Sequence, residues 1–150
     1  MRTAASPTDW PSHALGRLSD AGHRSSAPRA AVVQALAELG CGVTAREIDD
    51  HLRATGGRAG LASIYRSLEL LHRHRLVSRI DVGEGVVRYE ALHPSGEHHH
   101  HIVCDSCGKV SAFEDDGLER AIRKLSGRTE FDVSGHDVTL RGECPDCQTT

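Results

Sequence analysis

Two Cys-x-x-Cys pairs and a run of four histidines are the residues of this chain best equipped for chemistry. Cys104 and Cys107 form the first pair, Cys144 and Cys147 the second, and His98 to His101 stand just before the first. A Cys-x-x-Cys knuckle puts two sulfurs on one edge of a tetrahedron, and two knuckles close a four-thiolate site of the structural zinc type. The gap between the pairs is longer than in a short zinc ribbon, so a helix and strands are expected inside it. A redox dithiol would need a βαβ setting, which neither pair has. In a reducing compartment paired disulfides are also disfavoured. Cys41, the fifth cysteine, reads as a small buried hydrophobe.

The histidine run is short, internal and followed by an apolar segment, which excludes a purification tag. The pattern predicts a strand over His98–Val103. Side chains alternate along a strand, so His98 and His100 should face one way and His99 and His101 the other. One run can thus feed two cation sites. Neither pair is a complete ligand set, and the candidates to complete them are Glu90, His93, Glu119 and His136. Each has a plainer use. In Asp116-x-x-Glu119 the glutamate can be a reciprocal helix cap, His136 can be a turn histidine, and Glu90 can end a strand in solvent.

These residues need elements to position them. Residues 1–11 are polar and expected to be poorly ordered, and a short helix is expected over Ser12–Ala21, ending at Gly22. Ser25-Ser26-Ala27-Pro28 starts a helix with proline in its first turn, and Val32, Leu36 and Leu39 give it an apolar stripe. Gly40-Cys41-Gly42 stops it. Thr44-Ala45-Arg46-Glu47 fits a capping box, opening a helix that runs to about Arg53 before Gly56-Gly57. A third helix, Leu61 to about His74, lines up Ile64, Leu68 and Leu71 and turns Tyr65, Arg66 and Glu69 away. Strands over Val77–Val82 and Val86–Leu92, joined by Gly83-Glu84-Gly85, read as a hairpin. Three short helices followed by a hairpin describe a winged helix-turn-helix, with Leu61–His74 in the recognition position.

His93-Pro94-Ser95-Gly96 reads as a hinge. After the histidine strand come a strand over Lys109–Phe113, a helix from Asp116 to about Leu125 and a last strand over Val138–Arg141. The expected organisation is α+β: a winged-helix domain over residues 1–92, a hinge over 93–97 and a small α/β domain with a four-cysteine zinc site over 98–150.

Charge does not decide the partner. Residues 1–92 carry 12 arginines against 10 acidic side chains, and residues 93–150 carry 6 basic against 11 acidic, within an overall net of −3. The first part is too weakly basic to mark a nucleic-acid binder by charge alone. No apolar run approaches about 18 residues, and MRTAASPTDWPSH has no apolar signal core, so a cytoplasmic chain without a membrane segment is expected. His-Glu-x-x-His, the P-loop, Gly-x-Ser-x-Gly and the zinc-deaminase pattern are all missing from the sequence. No enzyme and no small-molecule substrate is expected.

GLASIYRSLELL followed by HHHHIVCDSCGKV and a terminal Cys-x-x-Cys strongly resembles the ferric uptake regulator (Fur) family of bacterial metal-sensing repressors, from about Arg24 to Cys147. The resemblance implies a homodimeric transcription factor that binds double-stranded operator DNA and uses a metal as corepressor. It implies that Cys104, Cys107, Cys144 and Cys147 hold structural zinc. His98, His100, Glu119 and His136 match a site within the dimerisation domain. His99 and His101 match two ligands of a regulatory hinge site, Glu90 matches the carboxylate that iron sensors place there, and His93 is the further candidate to complete it. Arg24, Tyr65 and Arg66 match positions near DNA.

The hinge departs from the family pattern in both directions. Where iron and peroxide sensors bring a histidine from the turn before the second helix, this chain has Gly42-Val43. Where zinc sensors use an aspartate after Leu-Val of the first wing strand and a cysteine before the histidine run, it has Ser78 and His93. Three histidines and one carboxylate suit zinc, nickel or iron, and the missing iron-sensor histidine favours zinc over iron as the regulatory ion. An iron- or nickel-sensing member, and a zinc-buffering protein without a DNA function, are the alternatives.

Overall fold

The computed structural model describes residues 10–40, 42–94 and 99–149, so the expectations placed on Cys41 and His98 lie outside the described residues. The chain divides into two compact units, Met1–His98 and His99–Thr150.

The first unit begins with α1 (Trp10–Asp20), which starts two residues earlier than the polar pattern suggested. Trp10 is the reason: its ring is fully buried and its Nε1 donates to the Leu92 carbonyl at 3.0 Å. Helix α2 (Ala27–Leu39) follows, capped by Ser26, whose hydroxyl accepts from the Arg29 amide at 3.3 Å. Helix α3 (Ala45–Ala54) opens on the expected capping box: Thr44 Oγ1 accepts from the Glu47 amide at 3.1 Å, and Glu47 Oε2 accepts from the Thr44 amide at 3.0 Å. Helix α4 (Leu61–Arg73) sends Ile64, Leu68 and Leu71 into the core, where they meet Val32, Val33 and Leu36 of α2 and Ile48 of α3.

The hairpin is β1 (Val77–Gly83) against β2 (Val86–Ala91), antiparallel, with Val77 opposite Ala91 and Ile80 opposite Arg88. Gly83, Glu84 and Gly85 all take positive φ, at 95°, 55° and 76°; the two glycines supply that backbone without a Cβ penalty. Val43, just before α3, forms a bridge with Tyr89 of β2 through bonds of 2.9 and 2.7 Å. Arg88 spans the same junction, donating to the Gly42 carbonyl at 2.7 Å and pairing with Glu47 at 3.3 Å. Helices and wing are thereby one body, with one face of α4 in its core and the face carrying Tyr65 and Arg66 exposed.

The second unit has β3 (His100–Cys104), β4 (Val110–Phe113), α5 (Asp116–Ser126), β5 (Thr139–Gly142) and a short α6 (Pro145–Gln148). Its sheet order is β4-β3-β5, with β3 antiparallel to β4 and parallel to β5. Strand β3 starts at His100, later than expected, because the pairing with β4 ends at His100 opposite Phe113. Strand β4 starts at Val110 because the Lys109 carbonyl accepts from the Cys104 amide to close the knuckle turn, at 2.9 Å. Helix α6 was not foreseen; proline at its first position starts it directly after Cys144. Among the described residues of this unit, Val103 and Cys104 are the buried apolar side chains, and α5 buries none.

Candidate metal centres and nucleic-acid interface

The end of β3 and the end of β5 carry the two cysteine knuckles. Cys104 closes β3, and Gly108, at φ 76°, turns the chain back so that its amide bonds the Cys104 carbonyl at 2.9 Å. Register aligns Cys104 with Gly142 of β5, and the Asp105 amide donates to the Gly142 carbonyl at 2.8 Å. This juxtaposition delivers Cys144 and Cys147 to the first knuckle. The four sulfurs lie within 4.8 Å of one another, with Cys107 and Cys144 at 3.8 Å. A tetrahedron with metal–sulfur bonds of about 2.3 Å has edges of about 3.8 Å, so the spacing fits one zinc ion.

The protonation of the cluster agrees. The Cys144 amide, donating to Cys104 Sγ at 3.3 Å, leads a set of hydrogen bonds that pull the Cys104 thiol down to about 6. Cys147 is pushed up to about 12, chiefly by its contact with Cys144 and then Cys104. One thiolate is favoured, and further negative charge beside it is not. A divalent cation supplies the countercharge that lets all four ionise.

The second constellation joins β3 to α5. Glu119 Oε1 meets His100 Nε2 at 2.5 Å and Glu119 Oε2 meets His136 Nε2 at 2.8 Å. His100 is buried, and the Val138 amide donates to its Nδ1 at 3.2 Å, which points Nε2 at the carboxylate. The His100 hydrogen bond, with His136 adding to it, holds the Glu119 carboxyl below the usual carboxylate range. Glu119 is not the helix cap that the spacing allowed: Asp115 caps α5, accepting from the Leu118 amide at 2.7 Å. Two imidazoles and a carboxylate within 4.8 Å form a donor set for a borderline divalent ion.

Glu90, His93, His99 and His101 belong to neither group. Glu90 and His93 are in the first unit, Glu90 buried in β2 and His93 half-buried after it; His99 and His101 are in the second. His101 is buried in β3, whereas His99 precedes the strand and its Nδ1 meets Glu114 at 3.1 Å. That glutamate had no signal in the sequence, because its place beside His99 follows from the β3–β4 register. Ser78, opposite Glu90 on β1, has a buried hydroxyl with no hydrogen-bond partner.

On α4, Tyr65 and Arg66 lie on the exposed side, away from Ile64 and Leu68. Tyr65 is 49% exposed, and Arg66 Nη2 donates to Ser63 Oγ at 3.0 Å. Arg24 is exposed between α1 and α2, and its carbonyl accepts from the Arg29 guanidinium. A helix presenting an aromatic ring and a guanidinium, beside a two-stranded wing, suits the groove and backbone of a duplex. Among the described residues no helix is long and apolar enough to cross a membrane.

The sequence profile of the ferric uptake regulator family matches residues 20–141. The chain belongs to that family. As a member it is a metal-responsive transcriptional regulator. The ferric uptake regulation protein of Legionella pneumophila is 34% identical over 133 residues, covering 88% of this chain and 96% of the relative. The zinc uptake regulation protein of Mycobacterium tuberculosis is also 34% identical, over 134 residues, covering 88% and 100%. Overall identity therefore does not choose between an iron and a zinc branch. The ferric uptake regulator of Helicobacter pylori, whose structure reveals three functional metal-binding sites, matches at a TM-score of 0.79 and 25% identity, covering 100% of this chain and 99% of that one.

Proposed function

We propose that this chain is a DNA-binding repressor of metal-uptake genes that acts as a homodimer, with zinc as its regulatory ion. The observation that carries the reading is the pairing, in one chain, of an exposed Tyr65–Arg66 face on α4 with a separate unit built around two cation-type clusters. In this reading Cys104, Cys107, Cys144 and Cys147 hold a structural zinc, and His98, His100, Glu119 and His136 hold a second ion. Glu90, His93, His99 and His101 form the regulatory hinge site, with ligands from both sides of residues 93–97. A cation there supplies positive charge to which residues before and after the hinge can be tied. DNA affinity then responds to the metal only as far as the DNA-competent arrangement holds it more tightly.

Arg24 and Arg66 are assigned to phosphates and Tyr65 to a thymine methyl or base edge. The second unit supports the dimer: Ile102, Leu125, Phe131, Val133 and Leu140 are all exposed in the single chain, an apolar surface of the kind that marks a protein interface.

The test is operator-like duplex binding by the full chain in separately buffered zinc, ferrous iron and nickel, with Tyr65→Ala and Arg66→Ala alongside. The expected result is retention switched on by zinc and lost in the two variants while their zinc content stays unchanged. Switching by iron alone would replace zinc with iron as the regulatory ion. Metal uptake without any DNA retention would leave a zinc-buffering protein in its place.

A further inference from the structure

The first unit contains a histidine pair that none of the roles above uses. His23, in the connection between α1 and α2, and His74, the residue that ends α4, bring their Nε2 atoms to 3.0 Å. Their rings meet edge to face, with centroids 4.9 Å apart and planes at 76°, and both are half-buried. They are 51 residues apart in the chain, so only the fold joins them.

Both backbones are held. Gly22, at φ 89°, turns the chain out of α1, and the His23 amide bonds the Leu18 carbonyl at 3.0 Å. On the other side Arg75 takes the left-handed conformation at φ 58°. Its amide bonds His72 O at 3.0 Å, and the Leu76 amide bonds Leu71 O at 2.9 Å, the two bonds of a Schellman motif. An arginine in place of the usual glycine there accepts backbone strain to keep the end of α4 fixed. His72 is engaged elsewhere, through Nδ1 to the Val77 carbonyl at 3.4 Å.

We propose that His23 and His74 form a two-imidazole site for a borderline divalent cation of the zinc, nickel or copper class, separate from the metal centres of the second unit. Two nitrogens bound to one ion at about 2.0–2.1 Å, in neighbouring coordination positions, stand about 2.9–3.4 Å apart, and 3.0 Å is within that span. Imidazole is a preferred ligand for these ions. The half-exposed rings leave the other positions to water. The site also falls at a helix C-terminus, where the macrodipole favours positive charge. An ion bound there cross-links the α1–α2 connection to the end of α4 and steadies the segment that carries Arg24.

The measurement uses the full chain with its other sites first loaded with zinc. Nickel is then titrated in while bound metal is counted and the imidazole signals are followed by NMR, since paramagnetic nickel broadens the rings it binds. The wild type should take one more nickel per chain than His23→Gln or His74→Gln, and His100→Ala should keep that extra ion. The His23 and His74 signals should broaden together. Equal nickel uptake by wild type and His23→Gln would overturn the proposal, leaving the pair a hydrogen bond alone. So would sharp His23 and His74 signals in the wild type at saturating nickel, a readout that does not depend on how the variants fold.

Discussion

Glu119 shows how one neighbour decides what a residue does. Its spacing from Asp116 allowed a helix cap, but the helix is capped one residue earlier by Asp115, which accepts from the Leu118 amide and leaves Glu119 out of the capping position. The Glu119 carboxylate is left to reach across to His100 and His136, one oxygen to each. Removing its charge while keeping its shape should therefore strike the second ion and spare the first. Glu119→Gln is expected to retain one zinc per chain in the cysteine site and to weaken the second site by at least about tenfold, since loss of even an outer-shell partner costs about 10–100-fold. Metal analysis after dialysis against graded zinc buffers reads both numbers. Unchanged second-site affinity would return Glu119 to a structural role.

At the scale of elements, what could be read in advance was whatever depends on near neighbours in the chain. The capping box at Thr44 lies within three residues, and the Ile64, Leu68, Leu71 stripe within two turns, so each was legible. The cysteine pairs were legible for the same reason. Trp10 was not, because it sits in a polar stretch and its partner, the Leu92 carbonyl, is 82 residues away. The Glu114 contact of His99 and the late start of β3 were hidden likewise, since both depend on strand register. Trp10 also predicts something local sequence would not. Its ring is fully buried in the core and its indole nitrogen ties α1 to the end of the wing. Trp10→Ala should destabilise the first unit by about 3–5 kcal/mol, the usual range for emptying a buried aromatic site. Denaturant unfolding followed by circular dichroism checks it. A loss well under about 1 kcal/mol, far below that range, would mean that α1 is a dispensable cover.

Across the whole molecule the two units are stabilised by different means. The first has a continuous apolar core from Trp10 through Leu36, Ile48 and Leu71 to Tyr89. The second buries Val103 and Cys104 among its described apolar side chains and leaves Leu125, Phe131 and Leu140 at 61%, 83% and 49% exposure. About fifty residues that bury so few apolar side chains among those described need metal or a partner to stay folded. The cysteine cluster has the spacing to hold the metal, and in the proposed homodimer a second copy would cover the exposed apolar side chains of α5 and β5. If the proposed dimer buries that face, a charge placed on it would be buried unpaired there, at a cost of several kcal/mol, while it stays solvated in the monomer. Leu125→Asp is therefore expected to raise the dimer dissociation constant by at least about 100-fold, equivalent to about 2.8 kcal/mol, with the cysteine zinc retained. Sedimentation over a concentration series measures this directly, and zinc analysis of the same samples separates lost assembly from a lost fold. A variant that stays dimeric at every concentration tested would show that the exposed apolar face of α5 lies outside the dimer contact.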